Sequence, residues 1–115
     1  MRGSERRRGL GAATAIAAIV LAGIAAAADG KPARCATTDD GTYDCLFRAT
    51  DRSGSFEISA PGKPTYTLTI AEPGVGFGFV EIEGRSVALP GRYLRSQSDR
   101  ACWRNDTTDT RICAW

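Results

Sequence analysis

Short alternating runs of apolar and polar residues make up most of the chain after residue 40. The clearest run is residues 65–71, where Tyr66, Leu68 and Ile70 alternate with threonines. A period of two with β-favouring residues predicts a strand that buries one face. Prolines and glycines at 61–64 then enforce a turn. Similar runs predict strands at residues 42–47, 55–59, 75–83, 85–89, 92–96, 101–105 and 110–115.

These runs predict an all-β domain, because no stretch after residue 28 keeps an apolar period of 3.6 residues. Seven or eight short strands at close spacing are typical of a small antiparallel barrel or sandwich. Residues 35–115 are predicted to form this single domain, and residues 29–34 a flexible N-terminal arm. The adjacent apolar residues Phe79 and Val80 predict a bulge or register change in the strand at 75–83.

Residues 1–28 have the three parts of a cleavable signal peptide. Four arginines lie within the first eight residues, an uncharged run covers 10–28, and Ala26 and Ala28 fit the small-residue cleavage rule. An uncleaved anchor is the alternative, since the run approaches the length that spans a bilayer. We expect cleavage, no stable membrane insertion afterwards, and a periplasmic or secreted protein. The Ala-, Gly- and Arg-rich composition of the leader is typical of bacteria.

Removing the leader changes the charge of the protein. The whole chain has 15 basic and 13 acidic residues, and its leader holds four arginines and one glutamate. The mature chain therefore has 11 basic and 12 acidic residues, so its net charge gives no reason to expect a nucleic-acid partner.

Four cysteines predict two disulfide bonds: Cys35, Cys45, Cys102 and Cys113. An even number is typical of a small exported domain, whose core is too small to be stable without covalent help. If residues 101–105 pair with 110–115 across their loop, Cys102 faces Cys113. Cys35 and Cys45 bracket a short segment and can also pair locally. Two long-range bridges are the alternative. The spacings match no zinc motif, and we expect neither metal nor cofactor.

The chain contains no histidine, which excludes Ser-His-Asp and Cys-His catalysis. We therefore expect a protein that is not an enzyme. A carboxylate-only hydrolase of cell-wall sugar and a structural envelope protein without a specific ligand are the alternatives. The acids available to such a hydrolase are Glu57, Glu72, Glu81, Glu83 and Asp99. The alternating glycines at 74–78 lack the lysine and helix of a phosphate loop, and they indicate close packing or a sharp bend instead.

The mature chain is polarised in charge. Residues 35–84 hold three basic and eight acidic groups, whereas residues 85–111 hold six arginines and three aspartates. Arginine, tyrosine and tryptophan are the residues that most often anchor interfaces. The candidate binding residues are Arg92, Tyr93, Arg95 and Arg104. We predict a non-enzymatic binding module with another envelope or extracellular protein as partner, and inhibition of a secreted or host enzyme is one form of this function. A merely solvated basic face is the alternative.

The tripeptide Gly91-Arg92-Tyr93 resembles part of the inhibitory loop of periplasmic lysozyme inhibitors, which are small exported β-barrels with a cysteine bridge. The resemblance covers these three residues, and Pro90 lies where a serine is expected. It implies that Arg92 and Tyr93 are exposed on a loop, and it does not assign the chain to that family.

Overall fold

A computed structural model describes residues 30–115, so the predicted signal peptide and Asp29 lie outside the described residues. The described chain forms nine antiparallel strands. They are β1 (Lys31–Thr37), β2 (Gly41–Ala49), β3 (Phe56–Ala60), β4 (Lys63–Glu72), β5 (Val75–Ile82), β6 (Arg85–Ala88), β7 (Tyr93–Arg95), β8 (Cys102–Asn105) and β9 (Arg111–Ala114).

Eight of these strands close into a barrel. The order around it is β4-β3-β2-β1-β9-β8-β7-β5, and β5 pairs again with β4. The remaining strand, β6, pairs with the far half of β5 and lies outside the ring. Closure removes the free edges that an open sheet would leave. The all-β prediction is confirmed, and of its two forms the structure is a barrel.

The predicted N-terminal arm is wrong for residues 31–34, which belong to β1. This strand pairs with β2 from Lys31 opposite Phe47 to Thr37 opposite Gly41. On its other side it pairs with β9, and the N–H of Trp115 donates to the carbonyl of Arg34 at 2.8 Å. Its inward residues are small or polar, so the apolar alternation that identifies a strand is missing. The segment is held in the barrel because β1 pairs with β2 on one side and with β9, the last strand, on the other.

The glycines of β5 allow an aromatic ring to pack against the sheet. On β5, Gly76, Gly78 and Val80 pair with the inward residues of β4. A Cβ on Gly78 would lie 2.6 Å from Cε2 of Tyr93, so the ring packs directly on this glycine. The predicted close packing is confirmed. The predicted bulge at Phe79 is wrong, because pairing with β4 continues without a shift there. Apolar residues are adjacent at this point because both faces of β5 are partly apolar.

The local disulfide pairing is confirmed, with bridges Cys35–Cys45 and Cys102–Cys113. Cys102 lies directly opposite Cys113, with their Cα atoms 4.0 Å apart. Cys35–Cys45 belongs to the barrel core, whereas Cys102–Cys113 packs with Ala36 in a separate buried cluster. Two disulfides indicate that the domain folds in an oxidising environment.

The core is built from the inward faces of the strands. Its fully or nearly fully buried side chains include Phe56, Ile58, Leu68, Tyr93, Trp103 and Ile112. Trp103 lies opposite Ile112 in the β8–β9 hairpin, as predicted from the sequence. Within residues 30–115 the structure has no helix that is long and apolar enough to cross a membrane.

Candidate functional site

One end of the barrel opens into a cleft of about 790 Å³. Strands β2, β4, β7 and β9 end at this end of the barrel, and strands β3, β5 and β8 begin there. We call this the open end, and the opposite end, which contains Arg92, Tyr93 and Asp106, the plugged end. Eight-stranded barrels are just wide enough to be filled by side chains or to hold one small ligand. Six strands contribute lining side chains, among them Phe47, Phe56, Ile70, Arg95, Trp103 and Ala114.

Aromatic rings make up the floor of the cleft. The rings of Phe47 and Phe56 stack with their centroids 5.2 Å apart. Phe56 and Trp103 are almost fully buried, so the cleft meets the upper surface of the barrel core itself. Ile70 and Ala114 complete the apolar lining. Such a surface favours an apolar group that displaces water.

Arg95 is a positively charged residue that lines the cleft from strand β7. It lies opposite Trp103 in the β7–β8 pair, on the same face of β7 as the buried Tyr93. Its guanidinium carbon lies 5.2 Å from the centre of the Trp103 ring. Its Nε donates to the carbonyl of Arg100 at 2.7 Å, and its backbone N–H donates to the carbonyl of Gly74 at 3.0 Å. The guanidinium is therefore held in one orientation at the mouth.

The rim of the cleft carries Arg100 and Glu72 as well as Arg95. Ion pairs within residues 30–115 join Arg34 to Asp44, Arg48 to Glu57 and Arg92 to Asp106, and they involve no arginine of the cleft. The described part of the open end thus presents two arginines that no described carboxylate neutralises.

The loop between β2 and β3 forms one side of the mouth and is fixed by hydrogen bonds. The carboxylate of Asp51 accepts the N–H of Ser53 at 2.8 Å and that of Ser55 at 3.1 Å. The Ser55 Oγ accepts the N–H of Ile70 at 2.8 Å, which ties the loop to β4. Hydrogen bonds from the hydroxyl and the backbone of Ser55 lower the pKa of Asp51. The shape of the mouth is therefore set before any ligand binds.

The sequence-predicted binding residues Arg92 and Tyr93 are not at this cleft. The N–H and Nε of Arg92 donate to the two carboxylate oxygens of Asp106 at 2.9 and 2.8 Å. These bonds, those from the backbone N–H first, lower the pKa of Asp106 to about 2. Arg92 therefore joins the loop before β7 to the loop after β8.

Tyr93 is 2% exposed, so its prediction as a surface binding residue is wrong. Its ring packs on Gly78, and its hydroxyl is 3.1 Å from Oγ1 of Thr110. That oxygen in turn lies 2.7 Å from Oγ1 of Thr108. A buried ring with its polar atom paired is a core residue. The resemblance to lysozyme inhibitors implies that Tyr93 is exposed on a loop, and the structure shows it buried instead.

Arg104 lies on the outer wall of the barrel, away from the cleft. It is exposed and faces Leu94 on one side and Arg111 on the other. The four predicted residues are thus divided among three places, and Arg95 alone lines the cleft. Phe47 and Phe56 were not predicted, because a strand pattern identifies an inward residue without showing whether it lies at an open end of the barrel. Arg100 was not predicted either, because it lies in the β7–β8 loop, where no strand pattern applies.

The five candidate acids do not form a catalytic pair across the cleft. Glu72 is the one carboxylate among the described lining residues. Asp99, nearby in the β7–β8 loop, accepts hydrogen bonds from the N–H of Ala101 and from Nε1 of Trp115. Glu57 is paired with Arg48, and Glu81 and Glu83 lie towards the far end of β5.

Within residues 30–115, no group of three or more acidic or cysteine side chains is placed to hold a metal ion. No family model, curated protein or solved structure matches the chain. The chemistry of the cleft is therefore the basis on which a function is inferred.

Proposed function

We propose that the mature chain is a non-enzymatic binding module of the bacterial envelope, periplasmic or secreted. It takes an apolar group of its ligand into the open end of the barrel. The observation that carries the proposal is the cleft, in which stacked rings and Trp103 form an apolar floor beneath an oriented arginine. An apolar pocket with a few converging polar groups is the usual form of a small-molecule site.

The size of the cleft supports a small ligand. Its volume of about 790 Å³ lies within the range of about 300–1,000 Å³ found for small-molecule sites. A fused two-ring compound is small enough to enter and flat enough to pack on Phe47 and Phe56. The hydrogen-bonded β2–β3 loop reduces the ordering that binding requires, and a preformed site loses less entropy when its ligand binds.

The lining supports binding rather than hydrolysis. A carboxylate-only glycosidase needs two acids about 5–10 Å apart on either side of the reacting bond. Glu72 is the one carboxylate among the described lining residues. Asp99 is not among them, and its carboxylate accepts hydrogen bonds from the Ala101 N–H and the Trp115 indole.

The protein partner that the sequence predicts stays a prediction. Two of its proposed contact residues are occupied within the fold, because Arg92 is bound to Asp106 and Tyr93 is buried. Arg104, on the outer wall, is the one of the four that is exposed and outside the cleft without a described ion pair. A protein that docked there would use a surface different from the cleft.

The test is an NMR titration of the oxidised, ¹⁵N-labelled protein with two matched probes, 2-naphthoate and 2-naphthamide. At about 0.3 kcal/mol per heavy atom, a ligand of this size has a Kd near 1 mM. We expect at least one probe to saturate and to shift the amide signals of residues around the cleft, such as Ile70 and Ala114.

Two tryptophan substitutions supply the matched variant and control. Ala71 lines the cleft and Ala88 lies on β6, and both are exposed strand alanines. We expect Ala71→Trp to weaken binding at least fivefold because it narrows the mouth, and Ala88→Trp to leave binding unchanged. If neither probe saturates, or if the shifts lie on the outer wall, the proposal is wrong.

A further inference from the structure

The guanidinium of Arg95 has unused hydrogen-bonding capacity at the mouth. Its Nε is occupied by the carbonyl of Arg100, while neither Nη1 nor Nη2 donates to any group of residues 30–115. Two parallel donors on one planar group match the two oxygens of a carboxylate, and phosphate and sulfonate oxyanions offer the same spacing. The Trp103 ring beneath the guanidinium keeps this pair of donors from rotating freely.

The charge around Arg95 also favours an anion. Among the described lining residues, Arg100 adds a second positive charge, against the single negative charge of Glu72. Asp51 and Asp99 lie beside the lining, and their carboxylates already accept hydrogen bonds within the protein. The aromatic floor is an apolar surface on one side of these charges, where the effective dielectric constant is lower than in water. An oxyanion at this boundary would be attracted more strongly than one on an open surface.

We propose that the ligand of the cleft is an anionic amphiphile. Its apolar body packs against Phe47, Phe56 and Trp103, and its oxyanion accepts hydrogen bonds from the Nη atoms of Arg95, with Arg100 beside it. This inference rests on the proposed binding function and adds the chemical class of the ligand. One molecule can reach both the apolar floor and Arg95, because the guanidinium carbon lies 5.2 Å from the centre of the Trp103 ring.

The two naphthalene probes separate the two proposals, because they differ in charge and hardly at all in shape. At pH 7 and low salt, we expect 2-naphthoate to bind at least tenfold more tightly than 2-naphthamide, as for a hydrogen bond to a charged partner. We expect this preference to shrink at 0.5 M NaCl, because salt screens the charge on the exposed side.

Two variants test the residues. Arg95→Gln should bring the naphthoate preference close to one, and Arg100→Gln should reduce it severalfold. Arg104→Gln removes an exposed arginine from the outer wall and should keep the wild-type preference. Thermal melting of each variant establishes that it is folded, and Arg100→Gln provides the test if Arg95→Gln does not fold.

The outcomes distinguish the failure of each proposal. Equal affinities for naphthoate and naphthamide, both at the cleft, would overturn the anionic class and leave the binding function standing. No binding of either probe would overturn both. A naphthoate preference that survives in both Arg95→Gln and Arg100→Gln would also refute the role assigned to these arginines.

Discussion

Both ends of the barrel contain arginine and aromatic residues, but these residues are placed differently at the two ends. At the plugged end, Tyr93 is buried with its hydroxyl beside Thr110, and Arg92 is bound to Asp106. At the open end, Trp103 and the phenylalanines border a cleft, and Arg95 makes no ion pair within residues 30–115. The ends differ in whether their arginines have a carboxylate partner among the described residues.

Asn105 at the plugged end is also paired within the protein. The amide of Asn105 donates to the carbonyl of Pro90 at 2.7 Å and accepts the N–H of Thr107 at 2.8 Å. Burial, with a smaller contribution from Asp40, raises the pKa of the tyrosines Tyr43 and Tyr66, which pack against the core. The hydroxyl of Tyr43 is an exception at this end, because it is buried without a hydrogen-bond partner among the described residues. If the proposed binding function is correct, an aromatic and arginine-rich segment indicates structure where its arginines are paired with carboxylates, and binding where they are not.

The largest expected effect tests the plugged end. Tyr93→Ala removes a buried ring and should lower the free energy of unfolding by about 3–5 kcal/mol, as large-to-small core changes do. Phe77→Ala, an aromatic residue 43% exposed on the outer wall, is the control and should lose far less. Urea unfolding of the oxidised proteins measures both. Equal losses in the two variants would mean that Tyr93 does not plug the barrel.

A smaller effect comes from the contact beneath that ring. Gly78→Ala places a methyl group 2.6 Å from Cε2 and 3.1 Å from Cδ2 of Tyr93, and the ring cannot bend away. Overpacking of this kind costs about 1–3 kcal/mol. Gly30→Ala is the control, because its Cβ would lie an ordinary 3.6 Å from Leu46.

The same variant tests whether packing at the plugged end affects ligand binding at the open end. If the two ends act independently, Gly78→Ala lowers the urea midpoint while its affinity for 2-naphthoate stays within twofold of the wild type under native conditions. If stability and affinity fall together, the two ends do not act independently, because the packing of Tyr93 then sets the shape of the cleft.

Much of the fold follows from the sequence because a strand pattern is local. The alternation at Tyr66, Leu68 and Ile70 predicts β4, and the register that brings Cys102 opposite Cys113 predicts the last hairpin. Strand β1 could not be predicted in this way, since Ala33 and Cys35 are small and its order comes from pairing with β9 at the other end of the chain. Closure of the barrel is likewise a non-local property.

The candidate site was predictable only in part, for a related reason. Arg, Tyr and Trp enrichment identified the wall formed by β7 to β9, and Arg95 is on that wall. The sequence could not distinguish Arg95 from Arg92, because the partner of Arg92, Asp106, is brought to it by the fold. Phe47 and Phe56 come from strands far from that segment and meet Trp103 only in the closed barrel.

The smallest expected effect uses pH to separate the two ends. The pKa of Asp106 is lowered from 3.8 to about 2, so its ionised form favours the folded state. This stabilisation is complete above pH 3.8 and is lost as the pH falls through about 2. Asp106→Asn should therefore melt below the wild type at pH 5, and the difference should shrink steadily as the pH falls towards 2. Thermal melting by circular dichroism between pH 5 and pH 2 measures it.

Asp51 provides the matched variant at the open end, because its pKa is also lowered and its carboxylate holds the loop that lines the cleft. Asp51→Asn should melt below the wild type at pH 7, and this difference should shrink in acid as the wild-type carboxylate becomes protonated. It should also weaken 2-naphthoate binding at pH 7, since the loop at Ser53 is no longer fixed. Asp106→Asn should leave that affinity unchanged. If both variants weaken binding equally, the contrast between the ends is wrong, since a carboxylate at the plugged end would then shape the cleft as much as one beside it.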